Sequence, residues 1–544
     1  MTAAAANPSA QSAASASDAK TDVHGPMAPF RHRAFAVLWI ATVASNVGTW
    51  MHDVGAGWLM TELAPSPMMV AAVQSATTLP IFLFALLAGA VADIVDRRRL
   101  LIGVNLALGA LALAMAAVVH LGLMTPWLLL VFTFAFGTGA AFMAPTWQAI
   151  VPKLIPREDL PSAIALNSMG VNISRAIGPA LAGFLIVGAG LAAPFVINAV
   201  SVVGIIAALW WWRPAASLAT SLPPEHVGGA MIAGLRYALN SPALKATLAR
   251  AAAFFVFASA FWAMLPLIAR ETLSGGPTLY GILLAAVGSG AVGGAFLLAR
   301  IKAALGPDGA VSAGTLGVVA AMLALATAPS QVVSIGASAV AGLSWITVLS
   351  SLNVSAQTAL PDWVRARGLS VFLTVFFGSM SLGSLVWGQI ATLSGVSTAL
   401  IASAIGAAAT ALIVRRAKLQ HGAGDDLAPS MHWPEPVLSR KVPADSPVMI
   451  QIAYRPADER VGEFLALMND LASSRLRGGG YHWSLLRDAA EEGVFLESWR
   501  EASWLAHQRQ HLRVNHADEA LQSRIRETLI DQAAPPVRHF VAPI

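Results

Sequence analysis

From residue 35 to residue 414 the chain alternates long apolar runs with short polar turns. A helix that crosses a bilayer needs about 20 mostly apolar residues. Twelve runs meet that rule: 35–61, 68–92, 100–122, 126–149, 161–187, 193–212, 246–270, 278–300, 309–328, 331–356, 368–392 and 396–414. The rhythm breaks once, at 213–245, where "RPAASLATSLPPEHVGG" reads as a polar loop and "MIAGLRYALNSPALK" as a short amphipathic helix. The pattern predicts an all-α polytopic membrane protein with 12 transmembrane helices in two six-helix halves, 29–212 and 246–414, joined by a cytoplasmic loop.

Beyond residue 414 the periodicity changes. A Pro-rich, charged linker is expected over 415–446, followed by a small soluble domain over 447–544. "VMIQIAY" (Val448–Tyr454) reads as a strand. Val461, Phe464, Leu465, Met468 and Leu471 share one face of a helix that "GGG" ends. "YHWSLLRD" and "VFLESWR" read as two strands, 503–529 as a helix, and "PVRHFVA" as a closing strand. The order β-α-β-β-α-β is ferredoxin-like, making the tail an α+β domain.

Composition agrees with a lipid solvent: 56% of residues are hydrophobic and 12% charged, against about 25% charged in soluble domains. The net charge of +5 is small for this length and gives no reason to expect nucleic acid. Position matters more than total, because cytoplasmic loops carry an excess of Lys and Arg. With the N-terminus inside, the inner turns hold Arg31 and Arg33; Arg97–Arg99; Lys153 and Arg157; Arg213, Arg236 and Lys245; Arg300 and Lys302; Arg365 and Arg367; and Arg415, Arg416 and Lys418. The outer turns hold essentially Arg270, beside Glu271. Both termini are therefore expected in the cytoplasm. The first 28 residues, Ala- and Ser-rich with Lys20 after the apolar part, read as a disordered cytoplasmic tail rather than a signal peptide.

"QAIVP" (Gln148–Pro152) returns as "QTALP" (Gln357–Pro361), and "GPALAG" (Gly178–Gly183) as "GSLVWG" (Gly383–Gly388). These echoes suggest parallel repeats, as in transporters with two related halves. No cysteine is present, so thiol chemistry and disulfides are excluded. The phosphate-binding pattern GxxxxGK[ST] is absent. No metal-ligand pattern stands out along the chain, and no cofactor is expected.

Asp53 and Arg175 are ionisable residues within apolar runs, where charge is costly and marks a pathway by default. Asp53 suits a proton carrier; a wet or structurally paired carboxylate is the plainer reading. Arg175 lies near the middle of the fifth run with Asn172 and Ser168 on its face. It suits an anchor for an anionic substrate or a partner for Asp53; a buried structural pair is the alternative. His52 is either a proton relay or a packing residue. Asn46, Gln74 and Asn353 either line a polar cavity or bridge helices. Gly178, Pro179 and Gly183 allow the fifth helix to bend or allow close packing.

The turn "GAVADIVDRRR" (Gly89–Arg99) resembles the G-x-x-x-D-(R/K)-x-G-(R/K)-(R/K) signature of the major facilitator superfamily. Gly89, Asp93, Arg97 and Arg98 match; Ile94 and Asp96 depart from it. "SNVGTWMHDVGAGWLMTEL" and "NSMGVNISRAIGPALAGFL" are similar to the branch containing enterobactin exporters, macrolide-efflux proteins and longer transmembrane secretion effectors. The resemblance implies transport by alternating access in a bacterial inner membrane, and a Gly-Pro element in the fifth helix like that of antiporters. It also implies a gate: Gly89 letting the second helix approach the other half, and Asp93 against the start of the eleventh helix near Arg365–Leu369, locking the outward-facing state. The tail resembles domains of the antibiotic-biosynthesis monooxygenase type, which pair into dimers. Its set His482, Trp483, Trp499, Trp504, His507 and His511 fits a regulatory or dimerising domain, an oxygenase or simple surface histidines.

The expectation is a proton-driven exporter, not an enzyme, of a small amphipathic molecule such as a siderophore or macrolide. The proton is chosen by exclusion of ATP and by family likeness. An importer or facilitator of the same fold, or a membrane-anchored sensor acting through the tail, are the alternatives.

Overall fold

The computed structural model describes residues 27–64, 66–151, 154–213, 227–328, 330–419, 426–433 and 442–542. The expected N-terminal tail up to residue 26, Lys153, the loop 214–226 and much of the linker lie outside the described residues.

The apolar runs become α1 (Arg33–Leu63), α2 (Pro67–Ile94), α3 (Arg97–His120), α4 (Pro126–Ile150), α5 (Leu160–Ala189), α6 (Ala193–Trp211), α8 (Pro242–Leu267), α9 (Pro277–Thr327), α10 (Gln331–Thr358), α11 (Arg365–Ser394) and α12 (Val396–Val414). The short α7 (Val227–Asn240) precedes α8. Eleven helices among the described residues are long and apolar enough to cross a membrane. Proline in the first turn starts α2, α4, α5, α6, α8 and α9, where its missing N–H costs nothing. Asp96 caps α3 through the Arg99 amide at 2.8 Å, and Gly190 and Gly395, both at φ +87°, end α5 and α11.

The expected spans 278–300 and 309–328 fall in one element, α9, of 51 residues. It breaks at Gly306 (φ +68°), with Pro307 next. A side-chain carbon on Gly294 would lie 3.0 Å from the Leu343 Cα, and one on Gly314 would lie 3.0 Å from the Ser344 carbonyl. In a straight helix those glycines would stand about 30 Å apart. Touching neighbouring residues of α10 from both requires the chain to double back at Gly306.

Helices α1–α6 pack mainly on one another, and so do α8–α12; two seams, α2 on α11 and α5 on α9, join the groups. The seams close at one end. The Met68 amide donates to Thr392 Oγ1 at 3.1 Å, and the Ser75 hydroxyl to the Ser381 carbonyl. The Thr278 hydroxyl donates to the Gly183 carbonyl at 3.4 Å, and Arg270 to Thr61 Oγ1 at 3.1 Å. All of these lie near the α1–α2 and α8–α9 turns. At the other end, nothing among the described residues lies within 4 Å of where a Gly89 side chain would begin.

The tail contains β1 (Val448–Tyr454), α13 (Val461–Gly478), β2 (Tyr481–Arg487), β3 (Phe495–Glu501), α14 (Trp504–His511), α15 (His516–Glu527) and β4 (Val537–Val541). The antiparallel sheet has the order β2-β3-β1-β4. The helix expected over 503–529 is two, because Asn515 and Asp518 form a capping box that starts α15. Val448, Ile450, Ile452 and Tyr454 bury against Phe464, Leu467, Met468 and Leu471; Leu465, expected on that face, is exposed. The tail rests on α7 and the α10–α11 turn. Arg236 donates to the Gly479 carbonyl at 2.7 Å, and the Arg513 guanidinium lies 4.1 Å from the Trp363 ring centre.

Candidate functional site

The two helix groups enclose a cavity of about 420 Å³, in the size range of small-molecule sites. Thr49, Trp50, His52 and Asp53 of α1, Gln74 of α2, Arg175 of α5 and Asn198 of α6 line one side. Trp262, Tyr280, Trp345 and Phe376 line the other.

Asp53 is exposed to this cavity, and no ion pair engages it among the described residues. Gly57, one turn on and on the same face, leaves room for Tyr280: a side-chain carbon there would lie 2.9 Å from the phenol oxygen. Tyr280 and Asp53 thus line the same cavity. Arg175 lies 5.4 Å from the Trp50 ring centre, a cation–π distance. Its Nε is buried and unpartnered among the described residues. The two charges thus share one cavity without pairing with each other.

His52, 2% exposed, packs 4.0 Å from the Phe136 ring centre and 5.0 Å from that of Phe195. Both its nitrogens lack partners among the described residues, so its surroundings are those of a packing residue at the cavity wall. Asn172 turns back to the Ser168 carbonyl at 2.9 Å, away from the lining. Asn46 and Asn353 also lie off the lining, and Asn353 accepts from Gln357 at 3.0 Å.

The expected hinge residues are contact points in this structure. A side-chain carbon on Gly178 would meet Trp50 Cβ at 2.6 Å, and one on Gly183 would meet the Pro277 carbonyl at 2.8 Å. Pro179 offers no N–H to the Arg175 carbonyl, which instead faces Gly288 of α9. In the 89–99 turn, Arg98 donates to the Leu209 and Trp210 carbonyls at 2.7 Å each, closing the end of α6. Arg97 also has a partner. The side chain of Asp93 lies outside the described part.

Sequence reasoning passed over Arg250, a buried charge in α8. It pairs with Asp308 at 3.0 Å and donates to the Ala417 carbonyl at 2.8 Å and the Arg415 carbonyl at 3.2 Å. It ties the α9 turn to the end of α12. Its signal was visible: an arginine inside an apolar run. Tyr280, Trp262 and Trp345 carried no such signal. In the tail, Trp499, His507 and His511 line a second cavity; Trp504 packs behind it, His482 is exposed, and Trp483 donates to Glu497 at 2.9 Å.

The chain is 25% identical over 346 residues to the enterobactin exporter EntS of Escherichia coli, covering 62% of this chain and 80% of that one. It is 24% identical over 151 residues to macrolide efflux protein A of Streptococcus pyogenes, covering 28% and 37%. It is 28% identical over 142 residues to the staphyloferrin A transporter of Staphylococcus aureus, covering 26% and 36%. The last two matches thus take in little more than a third of those proteins. Among solved structures, an auto-inhibited peptide transporter of the POT family superposes with a TM-score of 0.59 at 12% identity, covering 72% of this chain and 98% of that one. An inward-facing bacterial homologue of the lysosomal transporter Spinster gives 0.53 at 16%, covering 72% and 98%. These two show the fold. The family model described as transmembrane secretion effector matches residues 24–544, and with it the chain belongs to the transmembrane secretion effectors of the major facilitator superfamily.

Proposed function

We propose that this chain is a proton-driven exporter of a small amphipathic molecule, working by alternating access with Asp53 as the protonatable group and Arg175 as the substrate's anchor. The observation that carries the reading is an exposed, unpaired carboxylate and an unpaired guanidinium facing one aromatic cavity between two helix groups. Charges without ion partners inside a membrane protein are costly and mark substrate or ion paths. Reading α9 as two spans about Gly306 makes twelve in two six-helix halves. With both termini cytoplasmic, as the basic turns favour, the seams close the outer end and the cavity opens inward, ready to load a cytoplasmic substrate. The resemblance to siderophore and macrolide exporters favours outward transport of such a molecule. The gate expected at Gly89 and Asp93 then belongs to the opposite state, and open space around Gly89 is what this state requires. Substrate uptake into everted vesicles under an imposed pH gradient tests the reading: wild type should accumulate substrate and Asp53→Asn should not. Equal uptake by the variant would remove Asp53 from coupling.

A further inference from the structure

The tail holds a cavity of about 530 Å³, separate from the membrane cavity. Three histidines meet on its wall. His507 and His511 are four apart on α14, so they share a helix face. His539 comes from β4, opposite Ile450 of β1. One ring nitrogen of each lies within 4.8 Å of the others.

We propose that His507, His511 and His539 bind a divalent transition-metal ion such as Zn²⁺, with its remaining coordination position open to the tail cavity. His507 Nε2 and His511 Nε2 are 3.2 Å apart. Two imidazole ligands at about 2.0–2.1 Å from a tetrahedral ion stand about 3.3 Å apart, so this pair is already at ligand spacing. His539 Nε2 is buried and without a partner among the described residues. The ring centres of His507 and His539 are 4.8 Å apart.

The surroundings fit ligands as well as the spacing does. Glu501, 1% exposed, lies 3.3 Å from His507 Nδ1 without hydrogen-bond alignment. A carboxylate behind a histidine ligand orients the ring toward the ion. Trp499 donates to the same carboxylate at 3.0 Å, and Trp504 packs on His507 and His539. Arg475 also faces the cavity, but Glu497 at 3.1 Å answers its charge.

The remaining position would take water or an anionic donor on a small molecule. The cavity walls, Trp433, Tyr454 and Trp499 with Arg526, suit an aromatic anion.

The test uses the full chain in detergent, stripped with a chelator and titrated with Zn²⁺ by calorimetry. One ion per chain is expected, with a loss of about 10- to 100-fold for the positioning variant Glu501→Gln and larger losses for His511→Gln and His539→Gln. His516→Gln, outside the triad, should bind as wild type does. X-ray absorption on the Zn²⁺-loaded wild type should show three imidazole scatterers at about 2.0–2.1 Å, a readout that does not depend on any variant folding. No binding by wild type, unchanged affinity in both histidine variants, or fewer than three imidazoles would overturn the proposal.

Discussion

Gly281 of α9 lies against α5 at the closed end of the seam. A side-chain carbon there would sit 2.5 Å from the Pro179 carbonyl and 3.3 Å from the Gly183 Cα and N. All three neighbours are backbone, so no rotamer change can relieve the contact. Restoring an ordinary separation of about 3.4 Å needs a shift of nearly 1 Å between the two helices, and overpacking of that kind costs about 1–3 kcal/mol. The penalty falls on the state closed at this end and not on a state in which α5 and α9 have parted. Gly281→Ala should therefore shift the equilibrium toward opening at the α8–α9 turn by about 5- to 150-fold. The chain has no cysteine, so Gln74→Cys in the cavity lining is a clean reporter. Membrane-impermeant maleimide applied on the α1–α2-turn side should label it faster by that factor when Gly281→Ala is added. Gly293→Ala, with nothing within 4 Å, is the control and should leave the rate unchanged. Equal labelling in folded Gly281→Ala protein would refute the argument that this seam holds the closed end.

Arg250→Ala should lower the unfolding free energy in detergent by about 1–3 kcal/mol, because it leaves Asp308 without its cation and the α12 carbonyls without their donor; a thermal melt within error of wild type would contradict that role. Arg175→Ala should weaken binding of an anionic substrate about tenfold or more while a neutral analogue is little affected, since about 1.5–3 kcal/mol attends a hydrogen bond to a charged group; equal losses for both would deny Arg175 the anchoring role. Arg236→Ala with Trp363→Ala removes two contacts that seat the tail, and proteolysis of the linker should speed up with the membrane helices intact; an unchanged rate would show that other contacts hold the tail.

The membrane helices were legible because lipid demands long apolar runs, and the proline starts and glycine ends are local signals. The doubling-back within α9 was legible as two runs, although the helix continues almost to Gly306. Asp53 and Arg175 stood out because charge is rare in such runs, and the structure brings both to one cavity. Their neighbours Trp262, Tyr280 and Trp345 did not stand out, because an aromatic residue facing a cavity has the same composition signal as one facing lipid. Asn46 was placed by polarity and Asn172 by sharing a helix face with Arg175, and α-helical side chains of that length satisfy themselves locally, as Asn172 does on Ser168. In the tail, His507 and His511 were readable from their spacing, whereas His539 joins them only through strand pairing across the sheet. The break between α14 and α15 was written in Asn515 and Asp518, a capping pair that apolar periodicity alone does not reveal.

The central claim is that protons entering at Asp53 drive export. Purified protein in liposomes loaded with a pH-sensitive dye, given substrate under a pH gradient, measures it most directly. Wild type should carry protons with substrate, and Asp53→Asn should bind substrate without moving protons. Substrate-dependent proton flux that is the same in the variant and in wild type would contradict the account.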